Sequence, residues 1–172
     1  MRRQLKRIAG TTKCWNFDPR YGRYNVHKTK LLMKTEFEIA TSGPGLYEFT
    51  RDVTGWLTSG GHHDGLLTLF VRHTSCSLLI QENADPQVQD DLQAFFHRLA
   101  PRSTDPSMSY LRHTQEGPDD MPAHIKAALL PVSLSIPVVQ GRAVLGMWQG
   151  IYLFEHRDAP HLRRVAAHLF SG

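Results

Sequence analysis

Strand-like and helix-like segments follow one another in an irregular order along this chain. Alternating polar and apolar residues predict a half-buried strand over 35–40, whereas apolar residues recur at helical spacing over 46–58. The apolar segment 66–72 predicts a strand buried on both faces, and a further strand is predicted over 77–81. Because regular strand-helix-strand repeats are missing, the order predicts an α+β fold with a mixed or antiparallel sheet.

Two further helices are marked by their first and last residues. Asp85 and Pro86 supply an N-cap and a proline at the first helical position, and Pro101 ends the apolar stripe that follows. A shorter helix is predicted over 120–130, with His124 in its first turn. With the earlier segment of helical spacing, this makes about three helices. The apolar stripe predicted to face inward consists of Val88, Leu92, Phe95, Phe96 and Leu99.

The last third of the chain has the pattern of a hairpin. Two strand-like segments, 133–139 and 143–156, are joined across 140–141, a Gln-Gly pair that suits a two-residue turn. Pro137 cannot donate a ladder hydrogen bond, so its strand is expected at an edge or with a bulge there. The segment 163–170 is compatible with either a strand or a helix.

The positive charge of this 172-residue chain is concentrated at its start. Residues 1–32 hold nine Lys or Arg and one Asp, so the other eleven basic and fifteen acidic residues give 33–172 a charge of about −4. We therefore predict a basic extension over 1–32, either a flexible tail or sequence upstream of the native start, and a single domain over 33–172. A targeting role for the extension stays open. The acidic balance of the domain argues against nucleic-acid binding.

The cysteines and the hydropathy of the sequence indicate in which cellular compartment the protein is expected. Cys14 and Cys76 are too far apart in the chain to suggest a thiolate metal site or a disulfide framework, which fits a reducing cytoplasm. No segment approaches the roughly 20 apolar residues of a membrane span. The sequence therefore predicts a cytoplasmic protein without a membrane partner.

Three histidines are candidates for a metal site. His113 and His124 bracket an acidic loop that contains a glycine, and His156 lies between Glu155 and an Arg-Asp pair. Imidazoles with nearby carboxylates are typical of catalytic divalent-metal sites, in which three protein ligands leave one position open. The pattern therefore predicts a divalent cation, zinc first, on His113, His124 and His156. The competing interpretation is that these histidines are hydrogen-bonded structural or surface residues.

Other polar residues are candidates for catalysis or substrate binding. His73 ends a predicted strand, and Asp120 is the preferred acid or base of the acidic loop. Thr74 and Ser75 follow His73, but no nucleophile elbow surrounds Ser75, so a serine-nucleophile mechanism is disfavoured. The remaining candidates for contact with a ligand are Glu82, Asn83, Trp148 and Gln149.

Several short motifs, taken together and in this order, resemble the YjbQ family. They are His73-Thr-Ser75, Glu82-Asn-Ala-Asp-Pro86, His113-Thr-Gln-Glu-Gly-Pro-Asp119, Met121-Pro-Ala-His124, Gly146-Met-Trp-Gln-Gly-Ile-Tyr152 and Glu155-His156-Arg157. The similarity runs from about Met33 to Arg164. Met147 stands where the family usually has threonine, so no hydroxyl is available at that position.

The resemblance implies an α+β subunit that assembles as a homotrimer, with a histidine cluster able to hold a metal. By position, His113, His124 and His156 match the metal-site residues, with His73 and Asp120 beside them. It also implies a weak, secondary thiamine-phosphate synthase activity on small phosphorylated molecules, a transferase reaction that joins a pyrimidine diphosphate to a thiazole phosphate with loss of pyrophosphate. A related metal-dependent hydrolase and a non-enzymatic trimer that binds a metabolite or metal remain alternatives.

Overall fold

The computed structural model describes residues 31–61 and 63–171, together with two short strands before them. Strands β1 (Cys14–Asp18) and β2 (Arg23–His27) pair with each other in an antiparallel hairpin. Most of the predicted basic extension otherwise lies outside the described residues. Its predicted flexibility, and its predicted position upstream of the native start, therefore stay predictions.

The larger sheet has five strands in the order β3-β10-β5-β7-β8, and all of its pairs are antiparallel. The long strand β10 pairs with β3 along its whole length and with β5 on its other side, so the segment that was compatible with a strand or a helix is a strand. The five strands are β3 (Leu31–Thr41), β5 (Gly65–Val71), β7 (Ser133–Val139), β8 (Arg142–Ala143) and β10 (His161–Ser171).

The smaller sheet has three antiparallel strands, with β9 (Gln149–Glu155) between β4 (Gly45–Glu48) and β6 (Cys76–Glu82). Every residue of β9 after the first is buried, because the strand is covered on both faces. The α+β prediction is therefore confirmed.

Three α-helices complete the described part of the fold, in line with the prediction of about three: α1 (Thr50–Ser59), α2 (Pro86–Leu99) and α3 (Asp120–Leu129). The predicted cap of α2 is confirmed, because the Asp85 side chain accepts a hydrogen bond from the next-but-one backbone N–H. No residue of α2 is fully buried, however, and Phe95 and Leu99 of its predicted inward stripe are exposed. None of these helices is long and apolar enough to span a membrane.

Two predicted elements were wrong in their limits or their burial. The helix predicted over 46–58 begins at Thr50, because the residues before it form β4 and pair with β9. The strand predicted to be buried on both faces is buried on one. Its side chains alternate, with Leu66 46% and Phe70 48% exposed, because nothing described covers the outer face of the larger sheet there.

The predicted hairpin is confirmed at its turn but not along its second strand. Gln140 and Gly141 both have positive φ, as a two-residue hairpin turn requires. Pro137 lies at a sheet edge, as expected, because β8 pairs only with the two residues that follow it. The predicted continuous strand over 143–156 is interrupted, since the chain leaves the larger sheet after Ala143 and enters the smaller one as β9.

Candidate metal centre

Two histidines and one aspartate converge at the start of α3. Asp120 is the first residue of that helix, and His124 follows one turn later on the same face. His113 approaches from the preceding loop, with its Nε2 2.8 Å from Asp120 Oδ2, and His124 Nε2 lies 3.3 Å from the same oxygen. One ligand atom from each residue can be chosen so that all three lie within 4.8 Å of one another.

Arg157 fixes the orientation of the aspartate. Its guanidinium donates to Asp120 Oδ1, to Asp119 Oδ2 at 2.8 Å and to the backbone carbonyl of Glu116 at 3.0 Å. Asp120 is 2% exposed, so this contact stabilises a charge that would otherwise be costly to bury. With Oδ1 held by the arginine, Oδ2 is left facing the two imidazoles.

The tautomer of His124 follows from its second ring nitrogen. Nδ1 lies 3.0 Å from the backbone carbonyl oxygen of Thr74, which can only accept, so Nδ1 carries a proton. In the neutral ring, Nε2 then presents its lone pair on the side of Asp120. A histidine that donates one N–H to a backbone carbonyl is oriented as metal-binding histidines usually are.

This donor set suits a divalent cation. Two imidazole nitrogens and one carboxylate oxygen make three protein ligands, and the side chains of His113 and His124 are 45% and 34% exposed, so the remaining positions face solvent. Zinc accepts such ligands, and so do other divalent metals that bind two histidines and one carboxylate. Without a cation, the same oxygen can instead accept a hydrogen bond from His113 Nε2–H.

His156, the third predicted ligand, lies outside this group. It follows β9, is 2% exposed, has Nε2 3.0 Å from Ser77 Oγ and packs edge-on against Phe154 with ring centroids 4.6 Å apart. Burial, with a smaller effect of the Lys126 charge, lowers the pKa of His156 to about 3, so the ring is neutral at neutral pH. The His156 side chain points inward, as its strand position predicted, but it points into the core and not toward His113 and His124. Asp120 is the third member of the cluster instead.

His73 lies next to the cluster. It lines a cleft of about 370 Å³ with Thr74, His124 and Phe70. Its Nε2 accepts a hydrogen bond from the backbone N–H of Arg164 at 2.9 Å, so the neutral ring carries its proton on Nδ1. Burial and nearby positive charges, Arg163 foremost, lower the pKa of His73.

Ser75 belongs to the core and not to this cleft. It is 8% exposed, and its Oγ accepts a hydrogen bond from Arg163 at 3.1 Å. Arg163 also binds both oxygens of Glu155, at 2.5 and 2.6 Å, in an ion pair that the sequence did not predict. Burial alone would raise the pKa of Glu155, but Arg163 and the other donors around it bring that pKa below its ordinary value.

The other predicted ligand-contacting residues gather at the far end of β6. Glu82 pairs with Gln149 across β6 and β9, and the backbone N–H of Asn83 donates to the Trp148 carbonyl oxygen at 3.1 Å. Trp148 is 60% exposed. Because Glu82 lies seven positions after Ser75 along β6, the two ends lie about 23 Å apart at roughly 3.3 Å per residue. Within one chain they form a surface separate from the metal centre.

Comparison with known proteins gives a consistent set of relatives. The family model described as UPF0047 protein YjbQ-like matches residues 35–172. The UPF0047 protein sll1880 of Synechocystis is 50% identical over 131 residues, which cover 76% of this chain and 86% of that protein. The UPF0047 protein YjbQ of Escherichia coli O157:H7 is 48% identical over 105 residues, which cover 61% of this chain and 72% of that protein.

Solved structures agree with this set. A protein from Thermus thermophilus, TT1486, described as a conserved hypothetical protein, aligns with a TM-score of 0.68 and 38% identity, covering 78% of this chain and 98% of its own. A protein of the YjbQ/UPF0047 family from Clostridium acetobutylicum aligns with a TM-score of 0.68 and 32% identity over the same shares. The fold is thus shared with these proteins.

Proposed function

This chain belongs to the YjbQ (UPF0047) family, as its motifs predicted, and from that premise we propose that it is a metal-assisted enzyme acting on a small phosphorylated molecule. The observation that carries the proposal is the convergence of His113, Asp120 and His124 on one point that solvent can reach. Zinc is the proposed cation. The additional orientation of Asp120 by Arg157 and of His124 by Thr74 supports a preformed binding site.

Protein groups near the cluster suit the handling of a phosphate. A bound divalent cation supplies Lewis-acid stabilisation of negative charge on phosphate oxygens. When its ring is neutral, His73 carries a hydrogen on Nδ1, because Nε2 accepts from the Arg164 backbone, so Nδ1–H can donate a hydrogen bond to a phosphate oxygen of a ligand in the cleft. His124 lines the same cleft, so a ligand there reaches both His73 and the cluster.

The specific activity that the resemblance implies is secondary thiamine-phosphate synthesis. We propose it as the first reaction to assay, with hydrolysis of phosphate esters and diphosphates as the second. His73→Gln is expected to lower the rate while leaving metal content unchanged, because among the described residues no hydrogen bond joins His73 to a member of the cluster. Unchanged rates in this variant and in Asp120→Asn would remove both residues from the mechanism.

Metal binding itself is tested by elemental analysis and calorimetry on the full chain without an affinity tag. We expect about one divalent cation per subunit in the unmodified protein, and a large loss of affinity in His113→Ala, His124→Ala and Asp120→Asn. His168→Ala is the matched control, because His168 is an exposed histidine on β10. Equal affinity in all four variants would contradict the site. An alanine variant of His156 tests the remaining sequence-based prediction in the same experiment.

A homotrimer is also proposed from the family resemblance, in a cytoplasmic setting. One feature that supports self-association is an apolar row across the outer face of the larger sheet, where Leu32, Phe170 and Leu66 are register neighbours on adjacent strands and each is about half exposed. Sedimentation analysis is expected to give three subunits. Stoichiometric metal and ligand binding without turnover would instead favour a non-enzymatic binding protein.

A further inference from the structure

A second cleft lies beside α3, and it shares no residue with the metal cluster. Its volume is about 400 Å³, which is within the size range of small-molecule sites. Asp119 and Pro122 of the α3 start contribute to its lining, and the core residues Phe154, Glu155 and His156 form its inner end. The cleft therefore needs an explanation separate from the proposed metal chemistry.

Lys126 is the residue of this cleft that most indicates a ligand. It is 9% exposed, and within the described part of the chain its ammonium has no hydrogen bond and no ion pair. Burial lowers the pKa of Lys126, while Asp158 and Asp119 act in the opposite direction from a longer range. A nearly buried ammonium without a direct partner is costly unless a negative group is supplied from elsewhere.

The acidic residues of the lining are each bound to an arginine, and none of them forms an ion pair with Lys126. The ion pairs are Asp158 with Arg102 at 2.6 Å, Asp119 with Arg157 at 2.8 Å, and Glu155 with Arg163 at 2.5 Å. Among the described residues, the Lys126 ammonium is therefore without a direct partner of opposite charge. A carboxylate on a ligand would provide such a partner.

The rest of the lining is suited to an apolar body beside that charge. Phe96 and Phe154 lie edge to face with ring centroids 5.6 Å apart, and Pro122 and Ala100 add further apolar surface. His156 also contributes to the lining, and its Nδ1 has no hydrogen-bond partner among the described residues. A buried polar atom of this kind is expected to have a partner in the complete molecule.

We propose that this cleft binds a small organic carboxylate with a flat apolar body. The Lys126 ammonium holds the carboxylate, and the phenyl rings of Phe96 and Phe154 contact the body. Inorganic phosphate fits less well, since it lacks an apolar part to contact the phenyl rings of the lining. The site goes beyond the proposed enzymatic function, because no residue of the metal cluster takes part in it.

Benzoate is a suitable probe, because it combines one carboxylate with a flat ring. We expect saturable binding of benzoate to the full chain in an NMR titration. Benzamide, which has the same shape without the charge, is expected to bind at least about tenfold more weakly, and inorganic phosphate is expected not to compete. Absence of saturable benzoate binding would overturn the proposal.

Lys126→Met removes the charge and keeps the length of the side chain. We expect benzoate affinity to fall at least about tenfold in this variant and to stay unchanged in Lys34→Met, because Lys34 is an exposed lysine on β3. Because a partly desolvated charge without a partner is removed, the variant is expected to unfold no more easily than the parent protein. Equal benzoate affinity in Lys126→Met and the parent would overturn the proposal.

A second variant reduces the volume of the cleft and leaves the Lys126 ammonium in place. Ala94 lines the cleft from an exposed position on α2, so Ala94→Phe is expected to fill the entrance, to fold normally and to abolish benzoate binding. His113→Ala checks for binding at the metal cluster and is expected to bind benzoate normally. Benzoate binding that is lost in His113→Ala and kept in Ala94→Phe would place the ligand on the cluster and overturn the proposal, while metal binding itself is tested separately.

Discussion

Asp120 and Glu155 are both carboxylates buried in the same protein and held by an arginine, yet their surroundings differ. Glu155 is 0% exposed, and both of its oxygens accept from Arg163. Further hydrogen bonds come from Thr41 at 2.8 Å and from two backbone N–H groups at 3.0 Å. Asp120 is 2% exposed, but only one of its oxygens is bound to an arginine, and the other faces two imidazole rings.

We call the Glu155–Arg163 pair closed, because both carboxylate oxygens are bound to the arginine, and the Asp120–Arg157 pair open, because one carboxylate oxygen is not. Every acceptor position around Glu155 is used within the protein, so the pair can only contribute to folding. Asp120 keeps one oxygen toward partly exposed histidines, so a ligand from solvent can add to it. Burial and an arginine partner are common to both, and the direction of the second oxygen distinguishes the candidate functional carboxylate.

The largest expected effect comes from breaking the closed pair. Arg163→Met leaves the Glu155 carboxylate buried without its main partner, so we expect the free energy of unfolding to fall by about 3–5 kcal/mol. Urea denaturation at neutral pH measures this. Thr41→Val, which removes one of the other hydrogen bonds to the same carboxylate together with two hydrogen bonds to the His161 backbone, is the control, with an expected loss of about 1–2 kcal/mol. A loss in Arg163→Met no larger than the control's would show that the pair is not closed.

A change in the open pair is expected to lower the affinity of the site for a divalent cation. Arg157→Lys keeps the positive charge but loses the fork that holds Asp119 and Asp120 together. We expect the affinity for a divalent cation to fall by about 10- to 100-fold, which is roughly 1.4–2.7 kcal/mol. Calorimetric titration measures it, with Arg142→Lys on the exposed β8 as control. Unchanged affinity in Arg157→Lys would mean that the arginine does not orient Asp120 for a metal.

His156 sharpens the comparison through pH, because its backbone N–H donates to Glu155 and its ring is buried beside the closed pair. Burial, with Lys126, lowers its pKa from 6.5 to about 3. In the unfolded chain His156 binds a proton below about pH 6.5, whereas in the folded chain it does so only below about pH 3. The free energy of unfolding therefore falls as the pH falls through this window. The slope approaches about 1.4 kcal/mol per pH unit well below pH 6.5.

Urea denaturation at several pH values between about 6.5 and 5 measures this slope. In His156→Gln the dependence of the free energy of unfolding on pH is expected to be smaller, approaching a difference of about 1.4 kcal/mol per pH unit well below pH 6.5, since the contributions of all other groups are common to both proteins. An equal slope in the two proteins would mean that the His156 ring is hydrated or charged in the folded state.

The sequence revealed the two histidines of the metal centre because both lie close to acidic residues in the chain. His113, Asp120 and His124 fall within twelve residues, and the last two share one helical face. His156 has a similar sequence environment, but its contact with Ser77 depends on how β9 pairs with β6, which no local pattern encodes. The presence of acidic residues nearby in the sequence therefore identified two ligands of the cluster, but it also led to His156, a core residue, being predicted as a ligand.

Arginine partners were the main omission, because ion pairs join residues that are distant in the chain. Arg157 stands in the motif Glu155-His156-Arg157, yet its contacts with Asp119 and Asp120 exist only after β9 has brought it to the start of α3. The limits of β4 have a similar cause. The helix predicted from the apolar spacing was begun at residue 46, but 45–48 pair with β9, and this distant pairing cannot be read from the local sequence.

The smallest expected effect comes from an arginine pair on the surface, which separates the role of burial from that of distance. Arg72 and Glu36 lie 2.7 Å apart, close to the spacing in the Arg163 pair, but their side chains are 57% and 34% exposed. Solvent screens such a pair, so the coupling free energy in a double-mutant cycle of Arg72→Met and Glu36→Gln is expected to be below about 1 kcal/mol. Urea denaturation of the four proteins measures it. A coupling near that of a buried pair would mean that a short distance suffices without burial, and the contrast between the closed and the open carboxylate would then rest on geometry alone.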